Sequence, residues 1–86
     1  MDINELIAIV KKKLENQINI IDIKIEDKSF LHKNHSGNQE GKYHLKITLY
    51  SDELKKMSKI ESNKKVYKIL SEEIKKYIHS LQILIT

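Results

Sequence analysis

Four imidazoles are the side chains of this chain best suited to chemistry: His32, His35, His44 and His79. A neutral imidazole binds transition metals and exchanges a proton near neutral pH. Three of the four lie within the stretch EDKSFLHKNHSGNQEGKYH, residues 26–44. Cysteine is absent, so no disulfide forms and no thiolate of this chain holds a metal. A metal bound here needs His, a carboxylate or a ligand from a partner. His32 and His35 alone do not close a site, and their spacing fits solvated loop polarity as well as it fits ligand use. His44 falls on the polar side of a strand and reads as a cross-strand surface residue. His79 stands where a helix gives way to a strand, and a helix-end imidazole favoured by the dipole is its plainest reading.

No catalytic set accompanies them. No motif groups a nucleophile, a base and an oxyanion hole, and no Gly-rich phosphate loop is present. The carboxylates are scattered over faces where solvation is expected. The chain does not read as an enzyme.

The elements that must position the histidines follow from periodicity. In residues 2–16, Ile3, Leu6, Ile7, Val10 and Leu14 recur at helical spacing behind an Asp2 cap. Residues 19–26 alternate, with Ile21, Ile23 and Ile25 on one side, as do residues 43–50, with Tyr43, Leu45, Ile47 and Leu49 on one side. These two strands are expected to pair as a hairpin. The connection over residues 28–42 is fifteen residues and carries both glycines, Gly37 and Gly41. Hairpins need about two to five residues, so a loop this long is expected to be mobile, exposed and functional. A short turn follows from Ser51, and Ser58 with Glu61 has capping-box spacing. A longer helix is expected over residues 62–77, with Val66, Leu70, Ile74 and Tyr77 inside. Leu81, Ile83 and Ile85 then alternate into a last strand. The order is helix, strand, strand, short helix, long helix, strand. It implies an α+β fold: a three-stranded mixed sheet with helices packed on one face.

The chain has 86 residues, 40% hydrophobic and 33% charged, which fits one folded domain over residues 1–86 and not a disordered chain. All sixteen basic residues are Lys, and the formal net charge is +4. Lysine neutralises phosphate but lacks the planar fork that reads base edges, so the charge supports weak nucleic-acid affinity more than sequence readout. The Lys11–Lys13 run reads as a solvated helix surface. No apolar run approaches a membrane span, and the N-terminal charge order is the reverse of a secretion signal. A soluble, cytoplasmic protein is expected, with no membrane partner.

Four segments occur together in the order of a known family: Asp27-x-Ser29-x-x-His32, GKYHLKITLYS, KKVYKILSEEI and the terminal IHSL of residues 78–81. The chain resembles the BolA family over roughly residues 4–85. The resemblance implies a class II KH-like order, α-β-β-α-α-β. It also implies a non-enzymatic adaptor that forms a heterodimer with a monothiol, CGFS-type glutaredoxin. The two share a bridging 2Fe-2S cluster, with glutathione among the ligands, in cluster delivery or in iron and redox regulation. On this sequence the nitrogen ligands map to His32 and His79. His35 is ranked behind His32, because the Asp-x-Ser-x-x-His register reaches His32. The resemblance further implies that no cluster is held stably by the isolated chain, which is expected as a monomer or weak dimer.

The sequence departs from the family at the start of the long helix. The usual Arg-His-Arg or Arg-His-Lys run is replaced by Ser62, Asn63 and Lys64. This bears on the second reading, a KH-like nucleic-acid-binding transcriptional regulator that would contact DNA through Lys59, Lys64, Lys65 and Lys68. The missing Arg and the missing Gly-x-x-Gly clamp count against that reading.

Overall fold

The computed structural model describes residues 1–29 and 42–86. Its elements run α1 (Ile3–Gln17), β1 (Asp22–Asp27), β2 (Tyr43–Tyr50), α2 (Asp52–Lys55), α3 (Lys59–Ile69), α4 (Ser71–Lys76) and β3 (Ile78–Ile85). The element order and the mixed sheet agree with the reading from periodicity.

Helix α1 forms because its start is capped and one stripe is apolar. The Asp2 carboxylate accepts hydrogen bonds from the backbone N–H groups of Asn4 and Glu5, at 2.7 and 3.1 Å. Leu6, Val10 and Leu14 are wholly buried. At α3, Ser58 is the N-cap: its Oγ accepts from the Glu61 N–H at 3.1 Å and donates to the Glu61 carboxylate at 3.3 Å. This is half of the capping box that the Ser58–Glu61 spacing suggests: the Glu61 carboxylate takes the Ser58 hydroxyl and not the Ser58 backbone N–H.

The sheet order is β1-β2-β3, with β2 in the middle. Strand β1 pairs with β2 antiparallel, Ile23 opposite Leu49 and Ile25 opposite Ile47. Strand β3 pairs with β2 in parallel, Ile83 opposite Ile47 and Ile85 opposite Leu49. Parallel neighbours need a crossover, which α2, α3 and α4 supply. The helices cover one face. Leu6, Val10 and Leu14 of α1 meet Leu45, Ile47 and Leu49 of β2 and Val66 of α3 in one buried cluster. Truncating a buried Leu in such a cluster costs about 2–5 kcal/mol.

Five sequence expectations are corrected. The first strand starts at Asp22, not at residue 19, and Ile21 is 74% exposed. Its N–H still bonds the Tyr50 carbonyl at 2.7 Å, so the pairing continues while the side chain stays in solvent. The helix expected over residues 62–77 begins at Lys59, because Ser58 caps it there. It also breaks at Leu70, whose backbone leaves the helical range at φ −97° and ψ 16°. The Ile74 N–H nevertheless bonds the Leu70 carbonyl at 2.9 Å, so the three- and four-residue spacing runs across the break and hides it. Not every carboxylate is solvated: Glu73 is buried, and its Oε2 accepts from the Lys13 ammonium at 2.7 Å. Lys13 therefore does not belong to a free lysine run. Its pKa is raised, first by that hydrogen bond, with the nearby Glu73 and Glu72 charges adding to it.

A second ion pair ties α2 to α3. Lys65 donates to Glu53 at 2.7 Å, and Glu53 also accepts the Asn19 N–H at 3.1 Å. The Lys65 ammonium first, and the Asn19 N–H second, hold the Glu53 carboxyl below its ordinary value. A carboxyl depressed in the folded state contributes stability above its unfolded pKa, and that contribution is lost as pH falls through the folded value. In a Lys65→Met variant, the Glu53 midpoint should move up toward the ordinary carboxylate range in a carbon-detected NMR titration. Stability should also fall less steeply between neutral and acid pH. An unchanged Glu53 midpoint would show that the pair is not formed in solution.

Candidate functional site

The site is built where three chain segments meet at one end of the sheet: the end of β1, the start of β2 and the start of β3. The β1–β2 connection is anchored there by local hydrogen bonds. The Asp27 carboxylate accepts the Ser29 N–H at 2.9 Å, an Asx turn that bends the chain off the strand. Ser29 Oγ then accepts the His44 N–H at 3.1 Å, and the Lys28 N–H bonds the His44 carbonyl at 2.7 Å. The Asp-x-Ser spacing is thus a structural clamp that fixes where the connection leaves the sheet.

His44 is buried, with 5% of its surface exposed. The expectation of a surface cross-strand residue is corrected. It does lie on the face of the sheet away from the core, but a buried polar ring needs a partner, and Ser80 provides one. A 2.6 Å hydrogen bond joins His44 Nδ1 to Ser80 Oγ, with either group donating according to the tautomer.

His79 lies inside β3, not at a helix end, and it is exposed. The register explains its placement. Tyr43 is opposite Ile78, but His44 is opposite Ser80, so His79 is an extra residue on β3. Such a bulge re-aims side chains. In strict alternation one of two successive residues faces the core, yet His79 and Ser80 are both exposed, between buried Ile78 and half-buried Leu81. The bulge brings the His79 ring edge-to-face with His44, centroids 5.0 Å apart and planes at 61°. This is the edge-to-face arrangement that aromatic rings favour. An exposed imidazole is therefore held on a rigid strand against a buried one.

His32 and His35 lie outside the described residues. Ser29 is described, so the structure places the start of the segment that carries them beside His44. Among the described residues, no three His, Cys, Asp or Glu side chains gather to hold an ion. A closed site here needs ligands from outside the described residues or from a partner. The His44–Ser80 pair was missed by sequence reasoning. One signal was available: Ile78 and Leu81 are three apart where alternation requires two, which marks a bulge.

The four lysines of the nucleic-acid reading do not form one stripe. Lys65 and Lys68 line an open groove between α1 and α3 with Lys13. Two of those three ammonium groups are neutralised, Lys13 by Glu73 and Lys65 by Glu53. Lys59 and Lys64 line a different groove, beside Ile60 and Tyr67.

Replacing Ser80 with Ala should leave a buried imidazole nitrogen without its hydroxyl partner, at a cost of about 1–3 kcal/mol in urea unfolding. It should also broaden or shift the ring resonances of both His44 and His79. A neutral effect on stability and on both rings would mean that the 2.6 Å bond does not hold the pair.

Comparison with known proteins follows the same fold. The family model described as BolA-like protein matches residues 14–86. The chain is 27% identical over 79 residues to SufE-like protein 1, chloroplastic/mitochondrial, of Arabidopsis thaliana, covering 86% of this chain and 21% of that protein. It is 27% identical over 75 residues to the DNA-binding transcriptional regulator BolA of Haemophilus influenzae, covering 87% of this chain and 70% of that one. The chain thus spans about a fifth of the SufE-like relative. Among solved structures, BolA1 from Arabidopsis thaliana superposes with a TM-score of 0.77 at 24% identity, over 93% of this chain and 88% of that one. With the family model matched from the last turn of α1 to residue 86, the chain belongs to the BolA-like protein family.

Proposed function

We propose that this chain is a non-enzymatic iron–sulfur adaptor that works in the cytoplasm. It docks with a monothiol glutaredoxin carrying glutathione and shares a 2Fe-2S cluster with it. The observation that carries the reading is the bulge-held His79, exposed beside buried His44 at the point where the segment bearing His32 leaves the sheet. The donor set fits such a group. A cysteine-free chain offers imidazole nitrogen, which suits iron, while a glutaredoxin and glutathione offer thiolates. His79 and His32 would hold one iron, with His35 second to His32. Imidazole in place of thiolate raises a cluster's reduction potential, as in Rieske centres.

In this reading the residues of the chain act by positioning. The bulge fixes where His79 projects, His44, itself held by Ser80, restricts its ring, and the Asp27–Ser29 clamp sets the starting point of the arm that carries His32. A ring held before the partner arrives loses less freedom on coordination.

The nucleic-acid reading has one specific support, the name of the Haemophilus influenzae relative. The split of the four lysines over two grooves weakens it for this chain, because a phosphate backbone is best tracked by a continuous basic stripe.

Anaerobic co-purification with a monothiol glutaredoxin and glutathione tests the proposal. The wild type should yield a heterodimer whose visible absorption and circular dichroism differ from those of the glutaredoxin alone. His79→Ala and His32→Ala should restore the glutaredoxin-only spectrum, and His35→Ala should leave the heterodimer spectrum nearly unchanged. Failure to form a complex, or wild-type spectra from all three variants, would overturn the proposal.

A further inference from the structure

We propose that the groove between α3 and the outer edge of β3 takes an extended, acidic peptide segment of a protein partner as a fourth strand. This surface is separate from the histidines, and the inference does not rest on the cluster reading.

The sheet leaves one of its long strands half-paired. Among the described residues, strand β3 has β2 as its only neighbour in the sheet. Its backbone alternates. The Thr86 N–H bonds the Leu49 carbonyl and the Thr86 carbonyl accepts the Ser51 N–H, so Thr86 faces β2. The residues one, three and five places earlier, Ile85, Ile83 and Leu81, turn their backbone groups outward. Leu81 agrees: its carbonyl accepts the Tyr67 hydroxyl at 3.0 Å, from the α3 side. Toward the C-terminal end of the strand, Ile83 and Ile85 present donors and acceptors along an open edge. Such an edge templates another strand unless it is covered or blunted.

A helix stands beside this edge. Ile60, Asn63 and Tyr67 of α3 form one wall, and Ile83, Leu84 and Ile85 line the adjoining groove. Three of these are large apolar side chains left in solvent: Ile60 is 69% exposed, Leu84 49% and Tyr67 42%. An edge strand next to a helix is the arrangement by which sheet-adding domains seat a peptide. Main-chain bonds give affinity there, and alternate side chains find pockets.

Charge selects the occupant. Lys55, Lys59 and Lys64 border the two grooves, and among the described residues no carboxylate lines either of them. Among the described residues none of these three ammonium groups is ion-paired, whereas Lys13 and Lys65 on the other side of α3 are. The complement is a segment that alternates apolar and acidic residues. A second copy of the chain, at net charge +4, would bring like charges together. A nucleic acid would engage the lysines and stack bases on Tyr67 without extending the sheet, which makes it the competing occupant that the test separates.

The test uses nitrogen-labelled protein at physiological salt. Three probes are titrated: a short peptide alternating Glu and Val, the same peptide with Lys for Glu, and an oligothymidylate. The Glu–Val peptide should move the amide resonances of Ile83 and Ile85. A Lys59→Glu/Lys64→Glu variant, whose amide spectrum reports that it is folded, should bind it roughly tenfold more weakly. A Lys11→Glu/Lys12→Glu control should bind it as the wild type does. The proposal is overturned if the Glu–Val peptide leaves those amides unmoved or if the Lys peptide binds equally well. It is also overturned if only the oligothymidylate moves them, or if they shift with protein concentration alone, which would make the occupant a second copy.

Discussion

Strand β3 must keep both Ile78 and Leu81 on the core side while pairing in parallel with β2. Three residues separate them, and a strand that alternates every residue cannot satisfy both. One residue has to be extruded, and the register shift opposite Tyr43 and His44 shows that it is His79. The candidate site depends on this constraint. The bulge leaves two successive side chains on the open face: Ser80, which bonds His44, and His79, which packs its ring against the same histidine. A packing requirement of the core thereby fixes the position of an exposed imidazole.

The other half of the site is fixed from the antiparallel side of the same middle strand. Asp27 and Ser29 turn the chain off β1 and bind it to the backbone of His44. Buried His44 is therefore a meeting point: its backbone holds the start of the long connection, and its ring touches the start of β3. The two histidines that the family resemblance pairs, His32 and His79, belong to the two segments that converge on it. Core cluster and site thus share strand β2, whose Leu45, Ile47 and Leu49 face the helices while His44 faces away.

Much of this was legible in the sequence, and the failures have physical causes. Helix α1, the alternation of β2 and the Ser58 cap were readable because each is a local sequence pattern, backed in the two helices by local hydrogen bonds. The Leu70 break was not, since the apolar spacing continues through it. Glu73 and His44 were taken as solvent-facing because a polar side chain at a polar position normally is. Each is buried by a partner distant in sequence, Lys13 for one and Ser80 for the other, and no local pattern encodes such pairs. His79 was placed at a helix end because the helix-to-strand junction was read without the bulge. His32 and His35, which lie outside the described residues, rest on the resemblance alone.

The central claim is that an imidazole of this chain becomes a ligand to iron when the partner docks. Pulsed EPR on the reduced cluster of the heterodimer tests this most directly, with the chain selectively labelled at histidine nitrogen. The account predicts strongly coupled nitrogens that change isotope signature with the label, and their loss in His79→Ala, whose cluster reverts to the glutaredoxin-only form. A reduced cluster without directly coordinated histidine nitrogen, or one whose nitrogen couplings survive the loss of His79, would contradict it.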